Sequence, residues 1–149
     1  MRAVVQRVTS ATVTVEGRVV GAIEQGLLVY VGVAQGDGAD DTAYIAQKLV
    51  GLRIFADAEG RLDRSVQDVG GAVLLVSQFT LYGDCRRGRR PSFDKAAAPA
   101  AARVAYEELA EAVRRLGVPV CTGQFQAHMT VQSHNDGPVT LLIESSREW

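Results

Sequence analysis

At 149 residues the chain has the length of one domain and enough sequence to bury a self-sufficient core. Hydrophobic residues at 47% and charged residues at 22% give the balance of a soluble globular protein, and a formal net charge of −1 excludes a global field that would draw in nucleic acid. The longest apolar runs, such as Leu27–Val31 and Ala72–Val76, are too short to span a bilayer, and the N-terminus carries no basic region leading into an apolar stretch, so a cytoplasmic protein with no membrane contact is expected.

Val13 and Val15 alternate with Thr12 and Thr14 in the period of a half-buried strand, and Val19–Ile23 returns as the second arm of a hairpin after Glu16-Gly17-Arg18. The continuous apolar run Leu27–Val33 predicts a strand buried on both faces. Gly36 to Asp41 then breaks the sheet and supplies an aspartate N-cap. In the helix that follows, Ile45, Leu49 and Leu52 form one apolar face. Leu52–Phe55 predicts another strand, closed by Asp57-Ala58-Glu59-Gly60. Gly70-Gly71 precedes a buried strand, Ala72–Val76, which feeds directly into Ser77-Gln78. A loop at the end of a rigid core strand is a good platform for chemistry.

Pro99 suits the first turn of a long helix reaching about Leu116, with Ala105, Leu109, Ala112 and Leu116 as its buried stripe. Gly117 ends it in a left-handed conformation. Val118–Phe125, Ala127–Ser133 and Val139–Ser145 complete the chain as strands, the last two flanking the turn Asn135-Asp136-Gly137-Pro138. The fold class is α+β: a single domain over 1–149, with a mixed, mostly antiparallel sheet and two main helices.

Few side chains carry a recognisable chemistry. Cys85, Cys121, His128 and His134 are too scattered for a metal site, and no metal or cofactor is expected. The chain lacks a phosphate-binding loop, a dinucleotide fingerprint and a nucleophile elbow. One reading is a small esterase in which Ser77 or Thr80 works with His128 or His134, which needs a base within hydrogen-bond reach of the hydroxyl. Another is an RNA-binding module built on Arg86, Arg87, Arg89 and Arg90, since arginine grips phosphate in bidentate fashion. A third source of catalytic power is the backbone: N–H groups at the Phe79-Thr80 bend could stabilise an oxyanion without any titratable residue.

Ser77-Gln78-Phe79-Thr80-Leu81 and Gly137-Pro138-Val139-Thr140 together resemble the two signature segments of the D-aminoacyl-tRNA deacylases. The resemblance extends over essentially the whole chain, through Met1 to Val8, Gly26 to Val29 and Gly88 to Phe93. It implies a homodimeric editing enzyme that hydrolyses the ester between a D-amino acid and the end of tRNA. The Gly137-Pro138 bond would be cis, and its two carbonyls would reach the partner's pocket and exclude L-amino acids by a clash. Glycine has no side chain and should evade that clash, so glycyl-tRNA is an expected additional substrate. Catalysis would be RNA-assisted, the 2′-hydroxyl of the terminal adenosine helping to activate water. Phe79 and Thr80 would donate N–H groups, Ser77 and Gln78 would brace their loop, and Thr80 would position rather than attack. Arg7 would help lock the Gly-Pro loop, Met129 would join the substrate-binding residues, and the four arginines would contact tRNA.

Overall fold

The computed structural model describes residues 1–148. Its longest elements are two strands, β1 (Arg2–Val15) and β8 (Thr130–Glu144), paired antiparallel along almost their whole length. The other edge of β1 is shared: β3 (Gly26–Gly32) takes its first half and β2 (Arg18–Ile23) its second. β6 (Ala72–Ser77) and β7 (Val120–Thr122) add parallel strands, giving the order β2-β1-β3-β6-β7 with β8 on β1. The sheet is therefore mixed and mostly antiparallel, as its sequence predicts. β4 (Phe55–Ala56) and β5 (Leu62–Arg64) form a separate small ribbon.

The two parallel steps require long crossovers. α1 (Ala39–Gly51) lies in the first, and α2 (Pro99–Arg115) in the second, and the helices pack against each other. They cover a core containing Ala3, Val5, Leu27, Val29, Ile45, Leu49, Val73, Leu75 and Leu109. The opposite side of the curled sheet encloses a second core of Val8, Ala11, Val13, Ile23, Leu28, Leu74 and Val76. β1 serves both cores because its pairing with β8 slips near Val8, and such a slip reverses which side chains face inward. β3 and β6 contribute to both cores, which is why their sequences are unbroken apolar runs. Gly21 lets β2 curl against β7: a Cβ there would lie 2.4 Å from the Thr122 carbonyl oxygen.

Several local expectations are corrected. The first hairpin arm is the end of a fourteen-residue strand, not an isolated short one. Gly38 caps α1; Asp41 reaches back from the first turn to accept the Gly38 N–H at 2.8 Å. Leu52–Phe55 is not a strand. Leu52 caps α1 by donating its N–H to Lys48, and the Ile54 carbonyl is taken by Arg7 at 2.7 Å, so only Phe55–Ala56 is left to pair. The buried stripe of α2 is Tyr106, Leu109, Ala110 and Val113; Ala105 and Ala112 flank it, and Leu116 is exposed. Pro99 opens α2 and Gly117, at φ +94°, follows its end, both as expected. Val118–Phe125 contains only a three-residue strand, and the two terminal strands are one strand running through Gly137-Pro138.

Candidate active site

The buried strand β6 ends at Ser77, whose neighbour Gln78 donates its N–H to Val31 on β3 at 2.7 Å. The chain then winds into one 3-10 turn, Phe79–Tyr82. The first hydrogen bond of that turn runs from Leu81 N–H to the Gln78 carbonyl, so the N–H groups of Phe79 and Thr80 stand ahead of the ladder. Two anchors hold the turn. Tyr82 is buried, and the Arg2 guanidinium lies 4.7 Å from its ring centre while donating to the Leu81 carbonyl at 3.1 Å. Arg2 is itself gripped by the buried Glu144 at 2.6 Å, which ties the turn to both long strands. Burial tends to raise the Glu144 carboxyl, but hydrogen bonds from Arg2 and Ser146 outweigh it and hold the group below its usual range.

Beside the turn is a cleft of about 650 Å³. Val31 and Val76 line it from the sheet, Ser77, Gln78 and Phe79 from the turn, and Ala102 and Tyr106 from α2. Phe93 and the segment 125–129, including Met129, also line it. Phe93 meets Phe79 edge-on, with ring centres 5.0 Å apart. Tyr106 donates its hydroxyl to the Leu75 carbonyl at 2.7 Å, and burial pushes its pKa up to about 12. It is therefore a neutral hydrogen-bond donor at any physiological pH. The lining is largely apolar, suited to holding rings while the turn supplies the polar contacts.

No side-chain nucleophile with a base is assembled here. The Thr80 hydroxyl oxygen accepts from the Gln78 amide at 2.5 Å, and no imidazole or carboxylate is hydrogen-bonded to it among the described residues. His128 lines the cleft and is hydrogen-bonded to no hydroxyl among the described residues. His134 pairs with Ser10 at 2.8 Å on β8 and β1, outside the cleft lining. The esterase reading therefore lacks its geometry: neither Ser77 nor Thr80 meets a histidine.

Gly137 and Pro138 do not lie in a hairpin turn. On β8 five positions separate Asn135 from Thr140, whereas their partners on β1, Val8 and Gln6, are two apart. The surplus residues bulge outward and have no cross-strand partners, and the Gly137-Pro138 peptide is cis. Asn135 clasps the bulge by accepting the Val139 N–H at 2.8 Å and donating to the Thr140 hydroxyl at 3.1 Å. Arg7 binds it from the β1 side, donating Nε to the Asp136 carbonyl at 3.0 Å and pairing with the Asp136 carboxylate at 3.3 Å.

The bulge and the cleft are apart within one chain. Ser77 is level with Val31 on β3 and Arg7 with Leu27, a separation of roughly 13 Å along the strand alone. Gly137, Pro138, Arg7 and Thr80 do not line the cleft, whereas Ser77, Gln78, Phe79 and Met129 do. Arg7 and Asp136 border a smaller hollow with Phe55 and Arg64.

The arginine loop leaves from the turn and is closed at its base by paired hydrogen bonds between Asp84 and Ser92. Arg86 is spent within it, donating two guanidinium bonds to Asp84 at 2.9 and 2.5 Å. Those bonds, followed by the one from the Arg86 N–H, hold the Asp84 carboxyl well below the usual carboxylate range. Arg87, Arg89 and Arg90 are exposed and make no ion pair among the described residues. Sequence reading did not single out Arg2, Glu144, Phe93, Tyr106 or Phe125, because each acts through partners more than ten residues away.

The family described as D-Tyr-tRNA(Tyr) deacylase matches residues 4–144. The D-aminoacyl-tRNA deacylase of Heliobacterium modesticaldum is 60% identical over 144 residues, covering 97% of this chain and 96% of that protein. Its counterpart in Fervidobacterium nodosum is 56% identical over 147 residues and covers 99% of each. Among solved structures, one described as a c-Myc DNA unwinding element binding protein superposes with a TM-score of 0.92 at 38% identity, covering 97% of this chain and 98% of that one. A probable eukaryotic D-amino acid tRNA deacylase shares the fold, with a TM-score of 0.79 at 18% identity over 96% of this chain and 98% of its own.

Proposed function

The chain belongs to the D-Tyr-tRNA(Tyr) deacylase family, and on that premise we propose that it is a cytoplasmic editing hydrolase that cleaves the ester of D-aminoacyl-tRNA to free D-amino acid and tRNA. The observation that carries this reading is the Phe79–Tyr82 turn at the end of β6. It sets two backbone N–H groups ahead of its hydrogen-bond ladder beside an apolar cleft, and no base is hydrogen-bonded to the Ser77 or Thr80 hydroxyl among the described residues. Water adds to the ester carbonyl carbon, the oxyanion takes hydrogen bonds from Phe79 and Thr80, and the 3′ oxygen of the tRNA leaves with a proton. Preorganised backbone donors of this kind supply about 3–4 kcal/mol of barrier lowering each.

The base is then supplied by the substrate. The 2′-hydroxyl of the terminal adenosine is tethered beside the ester, and a group so held has a high effective concentration. The active form is a homodimer. Because Gly137 and Pro138 stand at the far end of β3 from their own cleft, a role for their carbonyls in selection requires a second copy. There they would meet the side chain of an L-amino acid and spare a D-amino acid or glycine, so glycyl-tRNA mischarged on the tRNA for alanine is also a substrate.

Purified protein should hydrolyse D-tyrosyl-tRNA and leave L-tyrosyl-tRNA intact; equal rates on the two would overturn the selectivity. A tRNA ending in 2′-deoxyadenosine, carrying the ester on its 3′ oxygen, should be cleaved slowly. Fast cleavage of that substrate would rule out assistance by the RNA hydroxyl.

A further inference from the structure

The cleft has a second basic flank that the arginine loop does not supply. Phe125 lines the cleft and tilts against Tyr106, with ring centres 5.9 Å apart. Over the Phe125 ring, 4.8 Å from its centre, lies the guanidinium of Arg103 on α2. Arg103 follows Ala102, itself a lining residue, so the cation stands at the rim of the cleft. Arg103 is exposed, and its guanidinium makes no hydrogen bond or ion pair among the described residues. Glu107 stands one turn further along the same helix, at the spacing where an ion pair commonly forms, and makes none with Arg103 among the described residues. Arg53, Arg61, Arg86 and Arg114, by contrast, each pair with a neighbouring carboxylate.

We infer that Arg103 is an RNA contact of this cleft, binding a phosphate of the single-stranded 3′ end of tRNA next to the terminal adenosine. The inference deepens the deacylase reading and depends on it. A guanidinium stacked on an aromatic ring uses its flat face for the stack, and its N–H fork stays in plane for bidentate binding of phosphate oxygens. The stack also fixes the side chain beforehand, so less rotamer freedom is lost when phosphate binds. Phosphate is the ligand that suits the position: a nucleoside seated between the aromatic walls leaves its own strand to pass over the rim. With a net charge of −1 the protein has no general attraction for that strand, so discrete contacts must hold it. Arg87, Arg89 and Arg90 belong to the loop that leads into the lining residue Phe93, and Arg103 stacks on the lining residue Phe125, so two separate segments bring positive charge to the cleft.

The experiment compares two substrates in the full-length protein: D-tyrosyl-tRNA, and D-tyrosyl-adenosine, the same ester without any phosphate. Arg103→Gln should raise KM for D-tyrosyl-tRNA about tenfold with kcat within about twofold, consistent with loss of a charge-assisted hydrogen-bond pair. The dependence of log(kcat/KM) on log salt should become shallower by about 0.7, the value for one phosphate on a single strand. Hydrolysis of D-tyrosyl-adenosine should be unchanged, and Arg103→Lys should recover most of the salt dependence. Equal losses on both substrates would mean that Arg103 only props Phe125, and no change in KM or salt slope would mean that it touches no phosphate; either overturns the inference alone. Wild-type protein inactive on both substrates would instead overturn the deacylase reading, and this inference with it.

Discussion

Replacing Gly137 by alanine places a methyl group where the chain has no room for one. The residue sits at φ +136°, and a Cβ there would lie 2.9 Å from Val139 Cγ2, 3.0 Å from the Val139 nitrogen and 3.1 Å from a terminal nitrogen of Arg7. These distances are some tenths of an ångström short of ordinary contact, and two of the three neighbours are held. The Val139 N–H is bound to Asn135 at 2.8 Å, and Arg7 is bound to both Asp136 and Ile54. An unfavourable backbone conformation of this kind costs about 1–3 kcal/mol. For a chain of this size each kcal/mol moves Tm by about 2–4 °C, so a fall of about 2–12 °C is expected. The fold should survive, because the bulge lies outside the ladder and the flanking pairs Gln6–Thr140 and Val8–Asn135 are untouched. The bulge itself must shift, and with it the carbonyls assigned to chiral selection. Thermal melting followed by circular dichroism and parallel assays on D- and L-tyrosyl-tRNA would measure both effects. The D-substrate should lose no more than a few fold, while L-tyrosyl-tRNA hydrolysis should rise at least tenfold. A lowered Tm with undiminished rejection of the L-substrate would refute the gate, and an unchanged Tm would refute the steric premise.

Three further outcomes are expected. Thr80→Ala should retain near-normal turnover, since its hydroxyl only accepts from Gln78; an acyl-enzyme trapped on the wild-type protein would show instead that Thr80 is a nucleophile. Tyr106→Phe should cost about 1 kcal/mol in urea unfolding, because the Leu75 carbonyl it leaves still accepts the Gly123 N–H at 2.9 Å. A loss above about 3 kcal/mol would contradict that satisfied carbonyl. Glu144 has its folded pKa held below the usual 4.5, so its stabilising contribution is full above that pH and is lost as pH falls through the lowered folded value. Glu144→Gln should therefore flatten the acid limb of the stability curve below about pH 4.5; parallel acid limbs in the two proteins would count against it.

The elements most legible from sequence are those whose signals are local. Leu27–Val33 and Ala72–Val76 read as buried strands because a strand with cores on both faces leaves no polar alternation to interpret. Pro99 and Gly117 bracket α2 because proline at the first turn and glycine after the last act on the backbone at their own positions. The buried face of the same helix was less legible. Alanine occurs on several of its sides and is indifferent to burial, so Ala105 and Ala112 suggested a stripe adjacent to the real one, which centres on Tyr106 and Val113. Tyr106 has a hydroxyl that suits an exposed position as well as a buried one, and only the distant Leu75 carbonyl that accepts it decides for burial.

Asn135-Asp136-Gly137-Pro138 has the residues of a turn, and a local reading makes it the corner of a hairpin. A hairpin forms only if the flanking strands pair with each other, and here both pair with β1, so the chain keeps its direction and the surplus residues bulge out. Residues 77–81 and 137–140 are legible as the signature segments of a resemblance that runs along the whole chain, because the residue types a turn or a bulge tolerates are dictated by its own backbone. Where those segments stand was decided by partners far away in sequence: Arg2 with Glu144, Arg7 with Asp136 and Ile54, Gln6 with Thr140. Such contacts depend on which strands share an edge, and no local pattern carries that information. The same holds for the cleft walls, since Phe93 and Phe125 belong to irregular segments, and the rings they meet, Phe79 and Tyr106, are far away in sequence.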